Sequence, residues 1–354
     1  SVKLSALHAR FESGKQERLR EELHPRLLTL LRVARERGIG VMIDAEEQDR
    51  LDIELEVFGQ MFANPALDGW QGLGLAVQAY SKRAIPVLRW LRRLSQEKGK
   101  RIPVRLVKGA YWDSEIKWAQ ERGLADYPVL TSKSHTDLSY MAAVRYMLGD
   151  PAAFYPAFAT HNAQSLAAVH VAGGDAKFEL QRLYGMGDAL YEQVMGPAAL
   201  KRPCRIYAPV GDHADLLSYL VSRLMENGAN TSFVHQIADP AVSVSQIVTD
   251  PVAELSEQWA SDGKGRIEAD LAIVKPRDIL QPERAVADGL ALNEPMVRGQ
   301  LLDEISTALA GPFAAMPIVD GREIKEAAEP HFAICPHDRR ERLGTVSFAS
   351  RDTV

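Results

Sequence analysis

Short β-rich segments alternate with amphipathic ones over the first two-thirds of the 354-residue chain, and chemically useful residues stand where the β-rich runs end. The composition of each run predicts strands at 2–7, 39–44, 73–78, 102–108, 155–160, 178–183 and 204–209. Helices are expected between them, such as 46–62, 80–97, 114–122, 136–148, 163–172 and 213–227. In the 80–97 segment, Ile85, Leu88, Leu91 and Leu94 recur at helical spacing, with Arg89, Arg92 and Arg93 elsewhere on the wheel. Strand–helix alternation implies a parallel sheet, either closed into a barrel or open and doubly wound. Asp44, Gln78, Lys108, His161 and Tyr207 fall at the carboxyl ends of five different strands. An open sheet gathers function at one switch point, whereas a barrel collects it from many strand ends, so the ring of five favours an α/β barrel of the TIM type. No strand is followed by the G-x-G-x-x-G turn of a dinucleotide-binding unit. An eighth strand is expected before Ser1 or near Phe233.

The densest chemical signal is VRLVKGAYWD at 104–113. Two cations, Arg105 and Lys108, sit among Val104, Leu106 and Val107, and inside a strand they are costly unless an anion or electron-rich ligand meets them. Gly109 then breaks the run into Ala110, Tyr111 and Trp112, and aromatics just past a strand end suit a flat ligand. The plainer alternative is a surface arginine, a snorkelling lysine and an aromatic turn. A second signal is YLVSRLMENGANTSF at 219–233, where Tyr219, Arg223 and Glu226 share one helix face by their spacing. That row suits closure over a small zwitterion or a cofactor edge; the alternative is a solvated face with an Arg–Glu pair.

The formal net charge of -5 gives no reason to expect a nucleic-acid partner for this chain. The two cysteines, Cys204 and Cys335, are far apart, which fits a reducing, cytoplasmic setting. Cys204 reads as a small core residue. The histidines at 8, 135, 170, 213 and 235 show no ligand spacing, and no metal is expected. Beyond residue 238 the periodicity fades into mixtures of Pro, Gly and charge. The expected organisation is therefore a barrel over 1–237, a linker or arm over 238–327, and the start of a further module over 328–354. The chain reads as an excised piece of something longer.

Eight segments, SVKLSALHARF, GVMIDAEE, GLAVQAYSKR, VRLVKGAYWDSEIK, FATHNAQSL, GMGDALYEQV, RIYAPVGDH and YLVSRLMENGANTSF, stand in an order that resembles the proline dehydrogenase module of bifunctional proline utilization A proteins. The resemblance covers residues 1–237. It implies a distorted (βα)8 barrel holding FAD noncovalently, oxidation of L-proline to Δ1-pyrroline-5-carboxylate by hydride transfer to the flavin N5, and transfer of electrons to a membrane quinone. It also implies peripheral association of the longer protein with the inner face of the membrane. Carried over residue by residue, Lys108 matches the lysine next to N5 and Arg105 the arginine beside the isoalloxazine. Gln78, Val107 and Trp112 match other flavin contacts, Thr160 and His161 lie where the cofactor continues, and Glu226 and Phe233 match residues near its adenosine. Lys3, Asp44, Ala110, Tyr111, Leu183, Tyr207, Tyr219 and Arg223 match the proline pocket.

One departure stands out. The family shows two consecutive arginines in Y-L-V-R-R-L, and here the first is Ser222. Residues 335–346 weakly resemble the opening of the aldehyde dehydrogenase module that follows in the family, so this chain alone is not expected to perform that second reaction. Two rivals remain: a Schiff-base lyase or aldolase on the same barrel with Lys108 as its amine, and a proline-binding flavoprotein weakened in catalysis by Ser222.

Overall fold

The computed structural model describes residues 1–195, 200, 202–214, 216–217, 219–221, 240–262, 273–311, 313–324 and 329–352. Six parallel strands form one sheet in sequential order: β1 (Val41–Ile43), β2 (Leu73–Gln78), β3 (Ile102–Val107), β4 (Phe154–Ala159), β5 (Glu179–Leu183) and β6 (Cys204–Tyr207). Helices α1 (Leu4–Leu7) and α2 (Gln16–Glu36) precede the sheet. Five more follow within it: α3 (Leu51–Phe62), α4 (Ala84–Lys98), α5 (Trp112–Glu121) with α6 (Lys133–Leu148), and α7 (Ala163–Gly173). A further helix, α8 (Asp188–Met195), leads towards β6.

The register assigns each strand residue to a face, because successive side chains alternate. Val41, Ile43, Leu73, Leu75, Ile102, Val104, Leu106, Phe154, Phe158 and Leu180 share one face and are buried under the helices. The opposite face carries Gly74, Ala76 and Gln78 of β2, Arg105 and Val107 of β3, and Ala157 and Ala159 of β4. It continues through Glu179, Gln181 and Leu183 of β5 to Arg205 and Tyr207 of β6. Burial on both faces is what a parallel sheet requires, and all six residues of β2 are buried.

Helix α4 ends on Gly99 in the left-handed region, which suits a residue without a Cβ. In α2, Leu19, Leu23, Leu27 and Leu31 form a stripe packed into the core. No element was expected between residues 7 and 39, so this 21-residue helix is an addition to the sequence picture. The expected strand over 2–7 is corrected. Only Val2 bridges in parallel to Ile43, and the chain then turns into α1, where the Ser5 N–H donates to Glu46 Oε1 at 3.0 Å.

The chain divides into two compact units, Ser1–Asn293 and Glu294–Val354. Within the first, the helix Pro251–Asp262 packs on α6, and Ser134 Oγ donates to Glu254 Oε1 at 2.6 Å. The second holds the helix Pro295–Leu309 and a three-stranded sheet with Arg342–Val346 between Phe313–Ala315 and His331–Ile334. No described helix is long and apolar enough to cross a membrane.

Candidate active site

The inner face of the sheet converges on Arg105. Its neighbours in register are Ala76 and Ala157, both too small to block the guanidinium. Arg105 Nε donates to Gln181 Oε1 at 2.7 Å, Nη1 to Asp44 Oδ1 at 3.0 Å and Nη2 to Ser1 Oγ at 2.7 Å. The guanidinium carbon lies 4.7 Å from the centre of the Tyr207 ring. Neighbouring strands are about 4.8 Å apart. One side chain of β3 can touch the end of β1, β5 and β6 together only because the sheet curls around it. Three hydrogen bonds, one of them to a carboxylate, make this buried charge tolerable.

Lys3 joins from the amino-terminal segment. Its Nζ donates to the Tyr111 hydroxyl at 2.5 Å and lies 5.2 Å from that ring's centre. Burial pulls its pKa down, but the Tyr111 hydroxyl and the charges of Glu46 and Asp44 outweigh burial, and the net shift is upward. Burial raises the Tyr111 hydroxyl, against the opposing pull of Lys3. Two cations therefore stand close to Asp44, with Glu46 also acting on Lys3, and each lies near a tyrosine ring.

Gln78 ties the ends of three strands. Its Nε2 donates to the Glu46 carbonyl at 2.9 Å, and its Oε1 accepts the Ala110 N–H at 3.2 Å. Ala110 is presented by Gly109, whose φ of 144° admits only glycine comfortably; a Cβ there would also land in the Tyr80 ring. Val107 lies opposite Gln78 in register, and Leu183 opposite Tyr207. His161 Nε2 accepts the Leu183 N–H at 3.1 Å, which brings the end of β4 to that of β5.

Other expected residues are placed differently. Lys108 shares parity with Val104 and Leu106 and so leaves β3 on the helix-covered side, away from Arg105. There it pairs with Asp137 of α6, close to the Tyr140 ring, and Asp137 also holds Lys133 at 3.1 Å. Burial lowers the Lys108 pKa, with Asp137 opposing. Trp112 Nε1 donates to the Leu130 carbonyl at 2.9 Å, and its ring packs against a small core of Tyr80, Ile116, Ala119, Tyr127 and Val129. Thr160 Oγ1 accepts the Asn162 N–H at 3.2 Å at the entry to α7, and its carbonyl accepts the Tyr191 hydroxyl. Tyr219 is half-buried. Ser222, Arg223, Glu226 and Phe233 lie outside the described residues.

Gln181 and Asp137 hold the two β3 cations, and neither was singled out from sequence. Gln181 carried a signal, a polar side chain two positions from Glu179 on one face of the strand-like run 178–183. Asp137 carried none.

A parallel α/β sheet with charge gathered at its carboxyl-terminal rim admits many chemistries. The relatives narrow them. Residues 1–236 match the family described as Proline dehydrogenase. The chain belongs to the proline dehydrogenase family. The bifunctional protein PutA of Klebsiella aerogenes is 45% identical over 357 residues, covering 99% of this chain and 27% of that protein. The crystal structure of Bradyrhizobium japonicum proline utilization A, mutant D779W, matches with a TM-score of 0.81 at 45% identity, over 86% of this chain and 31% of that one. The protein from Bdellovibrio bacteriovorus inactivated by N-propargylglycine matches 99% of this chain and 35% of that one, with a TM-score of 0.83 at 26% identity. The α/β architecture, a curled parallel half-barrel among the described residues, is thus that of the proline dehydrogenase region of these proteins, a distorted TIM-type barrel. This chain spans about a quarter of the length of these curated PutA relatives.

Proposed function

We propose that this chain oxidises L-proline to Δ1-pyrroline-5-carboxylate with FAD as its bound electron acceptor, and that the electrons pass on to a membrane quinone. The observation that carries the reading is the junction of Arg105, Asp44, Lys3, Tyr111 and Tyr207 at the strand ends of a proline dehydrogenase family member.

The donor set fits a flavin. A guanidinium fixed at the base of the site, with apolar Val107 and Leu183 nearby, suits a planar ring that gains negative charge on reduction. Gln78, Arg105, Val107, Thr160 and His161 would hold it, with Glu226 and Phe233 towards the adenosine; Lys108, paired with Asp137 on the other side of the sheet, and Trp112, packed into its own small core, would not. When bound, FAD supplies a two-electron acceptor for the hydride that leaves the proline ring.

The chain's own residues do the rest. Lys3 and Arg223 grip the proline carboxylate, because a buried carboxylate without cations is strongly unfavourable. Tyr111, Leu183, Tyr207 and Tyr219 box the five-membered ring, and Ala110 leaves space for it. Asp44 orients the cations as the counter-ion of Arg105. The amine sheds its proton so that the nitrogen lone pair can form the imine as the C–H bond breaks. In this reading the chain works in the cytoplasm, and the longer protein meets the quinone peripherally at the inner face of the membrane.

A visible spectrum of purified protein tests this. A yellow protein that bleaches on anaerobic addition of proline is expected. A colourless protein that traps substrate on Lys108 with borohydride would replace the reading with Schiff-base chemistry.

A further inference from the structure

The loop after β1, which begins at Asp44, is held by contacts that the proline reading does not use. Ser81 Oγ donates to Gln48 Oε1 at 2.5 Å, and the Gln48 N–H donates to Glu115 Oε1 at 2.7 Å. Glu115 stands in the first turn of α5, where its own N–H donates to the Tyr111 carbonyl at 2.9 Å. One carboxylate therefore clamps the element bearing Asp44 to the element bearing Tyr111.

The clamp sits in an unbalanced charge environment. Glu115 is 4% exposed, and Glu47 and Asp49 face it from the loop. Glu47 reaches Arg50, and Asp49 reaches Arg122 at the end of α5, both at 3.5 Å, too long for strong hydrogen bonds. Asp49 Oδ1 is buried with no hydrogen-bond partner, and Tyr80, 2% exposed, is buried as well. Tyr80 feels the charge of Glu115, Glu47 and Tyr111, and Tyr111 in turn is held by Lys3.

We propose that Glu115 is a positioning residue: by accepting the Gln48 N–H it fixes the β1 loop against α5 and so sets the separation of Asp44 and Tyr111 across the substrate site. This rests on the proline-oxidising reading above. Burial, with Asp49 and Glu47 adding to it and Gln48 and Arg122 opposing, pushes the Glu115 carboxyl up to about 7. The sign follows. Below that pH Glu115 is neutral and the clamp holds; as pH rises through it, Glu115 gains a negative charge beside the partly buried Glu47 and Asp49, and their repulsion works against the Gln48 N–H bond and loosens the loop.

The test compares E115Q with E115L. In the wild type, KM for proline is expected to rise about three- to tenfold across this titration with a smaller change in kcat, a shift of no more than a decade in binding. E115Q keeps an acceptor oxygen without charge and should flatten that rise; a profile parallel to the wild type overturns the proposal. E115L removes the acceptor and should raise KM below that pH, where the wild-type clamp holds, and match the wild type above it. Amide exchange supplies a readout that needs no turnover. In E115L, peptides covering 44–50 and 111–116 should exchange faster while 154–159 stays protected, and unchanged exchange in 44–50 overturns the proposal. Faster exchange in a protein that oxidises no proline would uphold the clamp and remove the substrate assignment.

Discussion

Arg105 on β3 and Arg205 on β6 point from the same face of the same sheet, yet their side chains are 6% and 65% exposed. Arg105 sits between two small neighbours on a strand covered from both sides, and every polar contact it makes comes from another part of the site. Arg205 pairs with the buried carboxylate of Glu179 at 2.9 and 3.0 Å while its own surface remains largely in solvent. The difference teaches that one residue type does two jobs according to strand position. At the centre of the sheet the cation is an element of the site, and at the edge it neutralises a carboxylate that the site leans on through Gln181.

Replacing Arg105 with alanine should break the comparison most severely. It leaves Asp44 and Gln181 facing an empty space, with an expected loss of about 3 kcal/mol in chemical denaturation, since removing one partner of a buried pair strands the other. Proline-dependent bleaching should fall by about a hundredfold or more. Lys3→Met tests the second cation: KM for proline should rise roughly ten- to hundredfold, the equivalent of one charge-assisted hydrogen bond, with folding intact by circular dichroism. Ser222→Arg probes the opposite direction. Supplying the arginine seen in the family should lower KM by up to about tenfold, and an unchanged value would mean that Lys3 and Arg223 already complete the grip. The smallest effect belongs to Arg205→Ala. Water can replace the exposed guanidinium, and Gln181 and Tyr155 still donate to the buried Glu179, so thermal unfolding should register about 1 kcal/mol.

Much of this arrangement was legible in the residues. The six strands and the helices between them follow from alternating composition, and of the five polar strand ends Asp44, Gln78, His161 and Tyr207 make contacts along the rim while Lys108 turns to α6. What failed did so for definite reasons. VKLSAL alternates like a strand over six residues, too few to separate a strand from a turn of helix, and the Ser5–Glu46 contact that fixes α1 joins positions far apart in sequence. The stripe Leu19, Leu23, Leu27, Leu31 has helical spacing, but Pro25 and a dense run of charge interrupt it. For Lys108, parity along β3 gave its side, opposite to Arg105, but its partner could not be read, because Asp137 lies on a helix 29 residues away. Glu115 was equally hidden. A glutamate in the first turn of a helix is ordinary, and only the fold shows the Gln48 amide above it.

The turn at Gly109 carries one more consequence. Ala79 and Tyr80 donate their N–H groups to the carbonyls of Val107 and Lys108, and the Ala110 N–H is occupied by Gln78. Peptide groups where β2 and β3 end are thus engaged with one another, leaving recognition at that edge to ionisable side chains. Attraction for an anionic guest there is accordingly long-ranged and tunable, and it should weaken as ionic strength shortens the screening length.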